Sequence, residues 1–232
     1  TCAHCFAGEL PRNEHPLKLT EMQSLFGELA AMGAYRLGLT GGEPLLRRDL
    51  FEIIDSATEQ GLHPCLTTNG LLVDESIARE FGRRELVWLN VSLDGATAAT
   101  NDRIRGEGTY NRVLKQLELL GRYARFTLAF TITRENVHEI EACARLARDV
   151  GAHTAVFRPL YPVGVARGNM ELMPTFAEYT SALGRLSDGS LFAGDIHPID
   201  PFSPQARAYT QAKVFAKNGC GAGNLIASIS VQ

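Results

Sequence analysis

YRLGLTGGEPLLRRDLFEIIDSATEQGLHPCLTTNG, residues 35–70, contains one complete strand–turn–helix–strand unit. Residues 35–39 read as a short strand that runs out into Gly41 and Gly42, where the chain must turn. From Asp49 to Gln60 the spacing becomes helical: Leu50, Ile53, Ile54 and Ala57 share a face, and Gly61 supplies the stop. Residues 64–68 return to a strand. Two strands joined through a helix lie parallel, because a crossover of that length brings the chain back in the same direction.

The same alternation extends both ways. Upstream, Thr20 is a plausible N-cap for a helix with Met22, Leu25, Phe26 and Leu29 on one face and Gly33 at its end. Downstream, a helix from Asp74 leads to a strand at 87–93. A helix over 110–122 leads to a strand at 126–132, and a helix over 137–150 to a strand at 154–158. These make five strands of an α/β protein, and a sixth just before Thr1 would complete a partial (β/α)6 TIM-like barrel. Such barrels bind ligands at the carboxyl ends of their strands, where Thr40 to Glu43, Thr67 to Gly70, Ser92 to Gly95, Thr133 and Arg158 fall. We assign residues 1–161 to the barrel and 162–217 to an irregular connector containing a helix over 175–186. Residues 218–232 begin a further extension.

Composition narrows the function classes. The 232 residues are 45% hydrophobic and 21% charged, enough for one large core, and the net charge of -3 leaves no basic excess for nucleic acid or acidic membrane. No apolar run is long enough to span a bilayer and no signal peptide is visible, so the expected compartment is the cytoplasm. Five unevenly spaced cysteines do not form a secreted disulfide framework. Cys65, in a strand, and Cys143, on a helix among Ala142, Ala144 and Leu146, read as core residues.

Cys2-Ala3-His4-Cys5 is a C-x2-C pair, compatible on spacing alone with a zinc half-site, a redox pair or part of an iron–sulfur site. Leu39-Thr40-Gly41-Gly42-Glu43-Pro44 closes a strand with two glycines that permit close backbone approach to a ligand. Its carboxylate can accept from an ammonium, although a tight turn with a solvated glutamate has the same pattern.

Taken together, TCAHC and LTGGEP resemble the radical S-adenosylmethionine (SAM) superfamily, whose cluster motif is C-x3-C-x2-C and whose second strand ends in GGEP. Thr67-Thr68-Asn69-Gly70 and Val91-Ser92-Leu93-Asp94-Gly95, followed by Asn101-Asp102-Arg103-Ile104-Arg105-Gly106, resemble further segments of that family in the same order, with Asn101 where histidine is common. The resemblance implies that Cys2 and Cys5 hold a [4Fe-4S] cluster with a third cysteine four residues before Cys2. It implies that SAM occupies the open iron and contacts Thr40, Gly41, Gly42, Glu43, Thr68, Asn69, Ser92, Asp94, Arg105 and Leu160. It implies reductive cleavage of SAM to a 5'-deoxyadenosyl radical, with an electron donor such as flavodoxin or ferredoxin. Cys220-Gly221-Ala222-Gly223 resembles the start of a SPASM or twitch extension, which would make Cys220 a ligand of an auxiliary iron–sulfur cluster.

On the substrate side, Arg158 and Tyr161 stand where a carboxylated small molecule would be held, though Arg158 could equally cap strand carbonyls. The tract from SLDG to CGAG is similar to peptide maturases of the mycofactocin type and to antibiotic-tailoring enzymes such as cytosylglucuronate decarboxylase. That implies radical decarboxylation or redox tailoring, of a sugar nucleoside in the first instance and of a short precursor peptide in the alternative. A non-catalytic zinc- or cluster-binding α/β protein is the expectation from another class.

Overall fold

Most strands form where the sequence supplies a short apolar or β-branched run. The computed structural model describes residues 2–6, 8 and 16–186, with the backbone of residues 198–199. In chain order the strands are β1 (Arg36–Leu39), β2 (His63–Thr68), β3 (Trp88–Ser92), β4 (Thr127–Ile132), β5 (Thr154–Pro159) and β6 (Pro198–Ile199). All neighbours pair in parallel and in sequential order. The helices are α1 (Leu19–Ala31), α2 (Leu50–Glu59), α3 (Glu75–Gly82), α4 (Ala98–Arg105), α5 (Thr109–Leu120), α6 (Ile140–Asp149) and α7 (Phe176–Leu186).

Three elements differ from expectation. The first helix starts at Leu19 with Lys18 as N-cap rather than Thr20, because the Glu21 carboxylate reaches back to accept from the Lys18 amide at 2.8 Å. Helix α4 lies where only a loop motif is legible. It is strongly polar, but Thr97 caps it by accepting from the Thr100 amide, and its Thr100, Asn101 and Ile104 are buried. Within the stretch read as connector, Pro198–Ile199 adds a sixth strand beside β5, a position that its proline permits at a strand's first residue.

The core sits between the sheet and its helices. Leu66, Leu89, Val91, Leu93, Leu128, Phe130, Ile132 and Phe157 point into it, and Phe130 and Phe157 stack with centroids 5.1 Å apart. Each such side chain, fully buried, contributes about 1.5–3 kcal/mol. A smaller cluster of Met22, Phe26, Ile53, Ala57 and Leu62 joins α1 to α2. Cys65 and Cys143 are both buried. Burial raises the Cys65 thiol to about 11, with Arg36 opposing, so it stays protonated and inert.

Strand alternation then dictates what lies on the other, concave face. With Leu89, Val91, Leu93, Leu128, Phe130, Ala155 and Phe157 committed to the core, the concave face receives Thr67, Asn90, Ser92, Thr127, Thr131 and Arg158. Asn90 Nδ2 donates to Thr67 Oγ1 across it at 3.4 Å. Exposure on this face rises toward the carboxyl ends, from buried Asn90 to half-buried Ser92, from buried Thr127 to half-buried Thr131, and from buried Val156 to exposed Arg158. The sheet therefore opens at the end where the motif residues stand.

Candidate cofactor site

The turn after β1 is built for close approach. Gly41 has φ of +137°, a conformation that L side chains avoid, and a Cβ at either Gly41 or Gly42 would meet nothing within 4 Å. The next residue anchors the turn. Glu43 Oε1 accepts from the Thr68 hydroxyl at 2.5 Å and from the Leu45 amide at 3.1 Å, and Oε2 accepts from the Asn69 amide at 2.8 Å. The Leu45 bond caps a single 3-10 turn at Pro44–Leu46. A carboxylate offers about four acceptor positions, so three internal donors leave one for an external ammonium. Thr68 is buried and also accepts from the Gly70 amide, which fixes the end of β2 against the turn.

The cysteine loop lies over the carboxyl ends of β3 and β4. The Ala3 amide donates to the Ile104 carbonyl at 2.9 Å, tying the loop to α4. The Val165 amide donates to the Cys5 carbonyl, and Asn169 Nδ2 donates to the Ala3 carbonyl at 2.8 Å, tying it to the segment after β5. That segment passes so close that a Cβ at Gly164 would stand 2.5 Å from the Cys5 carbonyl oxygen. Cys2 and Cys5 are free thiols, both half-buried. Burial raises the Cys2 thiol above its ordinary value, while Arg105, whose Nη1 lies 3.8 Å from the sulfur, pulls it back.

Asp94 is the hub beneath this loop. Its side chain is fully buried; Oδ1 accepts from the Thr131 amide at 2.7 Å, and Oδ2 accepts from His4 Nε2 at 2.6 Å. Arg105 Nε stands 2.6 Å from the same Oδ2, an ion contact whose angle falls outside hydrogen-bond geometry and leaves that N–H without a proper acceptor. Burial opposes ionisation, but Arg105, His4 and the Thr131 amide outweigh it and hold the carboxyl at about 2. Asn101 Oδ1 accepts from the Asp94 amide, and Asn136 Nδ2 donates to the Asp94 carbonyl.

The residues expected at the site thus fall into groups. Glu43, Thr68 and Asn69 meet at the first turn, and His4, Asp94, Arg105 and Cys2 form one connected cluster. Ser92 and Arg158 share the concave face, Thr40 is exposed at the rim and Tyr161 lies exposed just past β5, whereas Leu160 is buried. Desolvation by the surrounding protein lowers the Arg158 pKa from its ordinary value, with Tyr161 opposing, and no carboxylate of the described residues is among the charges acting on it. Cys220 lies outside the described residues. Sequence reasoning missed His4, Asn136, Asn169 and Gly164. The only signal available for His4 was its place inside the cysteine pair.

For the expected cluster, the donor set fits in part. Among the described residues no group of three metal-ligating side chains converges. Cys2 and Cys5 are two free thiols in a loop held by backbone bonds on the same rim as the glycine turn. The sequence profile of the Radical SAM superfamily matches residues 1–147. The chain belongs to the radical SAM superfamily.

In this radical SAM protein, 31% of residues are identical to mycofactocin maturase MftC of Mycobacterium ulcerans over 234 residues, covering 98% of the chain and 62% of that protein. It is 34% identical to the AdoMet-dependent heme synthase of Methanosarcina barkeri over 187 residues, 78% of the chain and 52% of that enzyme. The chain thus spans less than two thirds of the length of these relatives. Its fold matches Streptococcus suis SuiB bound to S-adenosylmethionine with a TM-score of 0.72 at 15% identity, over 85% of this chain and 46% of SuiB. It also matches anSMEcpe with bound AdoMet with a TM-score of 0.70 at 18% identity, over 85% of this chain and 59% of that one. The partial barrel is the radical SAM fold. The superfamily's cofactors are a [4Fe-4S] cluster and SAM, and its named relatives here are enzymes.

Proposed function

We propose that the protein is a peptide-modifying radical SAM enzyme that takes a hydrogen atom from a carboxylate-bearing substrate held over the open end of the barrel. Cys2 and Cys5 would hold a [4Fe-4S] cluster, which together with SAM would supply the hydrogen-abstracting chemistry, SAM being cleaved reductively to methionine and 5'-deoxyadenosine. The chain's own residues bind and orient. Glu43 and the Gly41–Gly42 backbone receive the ammonium of SAM, Ser92 and the polar concave face receive its ribose, and Arg158 with Tyr161 receives the substrate carboxylate.

The observation that carries the peptide reading is the rim itself. Phe6, Leu46, Tyr161, Val163 and Met170 are all exposed, and all lie on the cysteine loop or on segments that follow β1 and β5. Apolar side chains around a mouth that also holds Arg158, which meets no carboxylate among the described residues, suit a peptide with apolar residues near a carboxylate. Similarity to mycofactocin maturases across 98% of the chain, and to SuiB, which has been seen bound to its precursor peptide SuiA, supports the same reading. A carboxylated sugar nucleoside is the second reading, favoured by the hydroxyl- and amide-rich concave face. Under either, Cys220 opens an auxiliary-cluster extension, a flavodoxin or ferredoxin supplies electrons, and the enzyme works in the cytoplasm.

The test uses full-length protein, reconstituted with iron and sulfide without oxygen and reduced with dithionite in the presence of SAM. Production of 5'-deoxyadenosine, stimulated by a precursor peptide and accompanied by loss of CO2 or hydrogen from it, is the expected result. Stimulation by a uronic acid nucleoside instead would move the assignment to the second reading. No 5'-deoxyadenosine with any substrate would sink both.

A further inference from the structure

Arg105 lies between the Asp94 carboxylate and the Cys2 thiol. Its Nε faces Asp94 at 2.6 Å, and its Nη1 reaches Cys2 Sγ at 3.8 Å. The side chains involved are nearly sealed from solvent, with Arg105 11%, His4 9% and Asp94 0% exposed. Charges in such a place act on one another with little screening. The two cysteines are also treated unequally. Among the described residues Arg105 donates to Cys2 Sγ, and no donor reaches Cys5 Sγ.

We propose that Arg105, steered by the buried Asp94 carboxylate, donates an N–H···S hydrogen bond to the Cys2 thiolate of the bound cluster and thereby raises the cluster's reduction potential. This concerns the cluster site and holds for either substrate. The physical reason is the sign of the charge change. Reduction adds one negative charge to a cube already carrying thiolates, and a guanidinium touching one of those sulfurs stabilises the reduced form more than the oxidised one.

Asp94 acts here as a positioning residue. Its Oδ1 is fixed to β4 through the Thr131 amide, and its Oδ2 receives both His4 and the guanidinium. Arg105 is therefore aimed from a point set by the sheet while the cysteine loop is drawn to the same point through His4. A buried ion pair adds little net stability by itself, which is consistent with a role in electrostatics. Arg105 Nε makes no hydrogen bond to the carboxylate it faces, whereas Nη1 donates to the Cys2 sulfur at 3.8 Å.

The deciding measurement is an EPR-monitored redox titration of the full-length, anaerobically reconstituted protein in the absence of SAM. The relevant cluster is identified as the one whose signal changes when SAM is then added. Arg105→Gln should lower the equilibrium constant for its reduction at least tenfold, about 59 mV for a one-electron couple. Arg105→Lys, which keeps the charge but loses the planar fork, should fall between Arg105→Gln and the parent. Iron and sulfide analysis accompanies each titration. If Arg105→Gln fails to retain iron, the Arg105→Lys value decides. Parent-like potentials in the variants that hold a cluster, even with weakened SAM binding, would overturn the proposal and assign Arg105 to SAM alone.

Discussion

The Thr68 hydroxyl and the Glu43 carboxylate stand 2.5 Å apart, so the end of β2 and the turn after β1 form one hydrogen-bonded piece. Thr68 is buried, and its oxygen also accepts from the Gly70 amide. Thr68→Val keeps the shape and removes both bonds. It should cost about 1.5–3 kcal/mol in denaturant unfolding, since one of the bonds is to a charged group. SAM affinity, measured by calorimetry on reconstituted protein, should fall with it, because the freed carboxylate no longer faces the ligand in one fixed pose. Unchanged affinity would argue that Glu43 is not the ammonium acceptor.

Gly41 and Gly42 separate backbone strain from ligand contact. Gly41→Ala forces φ of +137° on an alanine and should destabilise the apo-protein by about 1–3 kcal/mol. Gly42→Ala introduces a methyl group into open space without a positive φ, so apo stability should hardly move. If SAM lies against this turn, Gly42→Ala should nonetheless weaken SAM binding at least tenfold. Normal binding by that variant would place the ligand elsewhere.

Asp94 gives a pH dependence with a definite sign. Its folded pKa of about 2 lies below the ordinary 3.8, so its contribution is fully present above pH 3.8 and is lost as pH falls through the folded value. The depression corresponds to about 2 kcal/mol. Asp94→Asn should be less stable than the parent at neutral pH, and the gap in urea unfolding should narrow by about that amount as the solution is taken from pH 4 to pH 2. A gap independent of pH would show that the carboxylate's charge contributes nothing.

Arg158 tests the substrate side. Arg158→Gln should raise the KM of a carboxylated substrate by tenfold or more while kcat changes little, the pattern of a group that binds ground and transition states alike. Arg158→Lys should recover only part of the loss, because a lysine cannot make the two-pronged contact. An equal fall in kcat with unaltered KM would remove Arg158 from carboxylate binding.

The βα alternation is legible because it depends on local apolar spacing, as in Leu50, Ile53, Ile54 and Ala57 of α2, and the strands carrying β1 to β5 follow it closely. Helix α4 is not, since its sequence is polar and its stability comes from a Thr97 cap and the burial of Thr100, Asn101 and Ile104 against the rest of the protein. Strand β6 is two residues long and begins with proline, too little for any periodic signal. At the site, motif residues following the strands are visible in one dimension, but their partners are not. His4 meets Asp94 across 90 residues, and Asn169 meets Ala3 across 166. Such pairings arise only once parallel strands bring their ends together.

Closed barrels of this kind fill their axis with branched hydrocarbon, whereas here hydroxyls, amides and a guanidinium face inward from β2 to β5. A solute bound over the open end of this face would add its binding free energy to the folded state. Melting temperature then becomes a gauge of occupancy: at a hundredfold excess over the dissociation constant, a single ligand adds about 2.7 kcal/mol to the folded state.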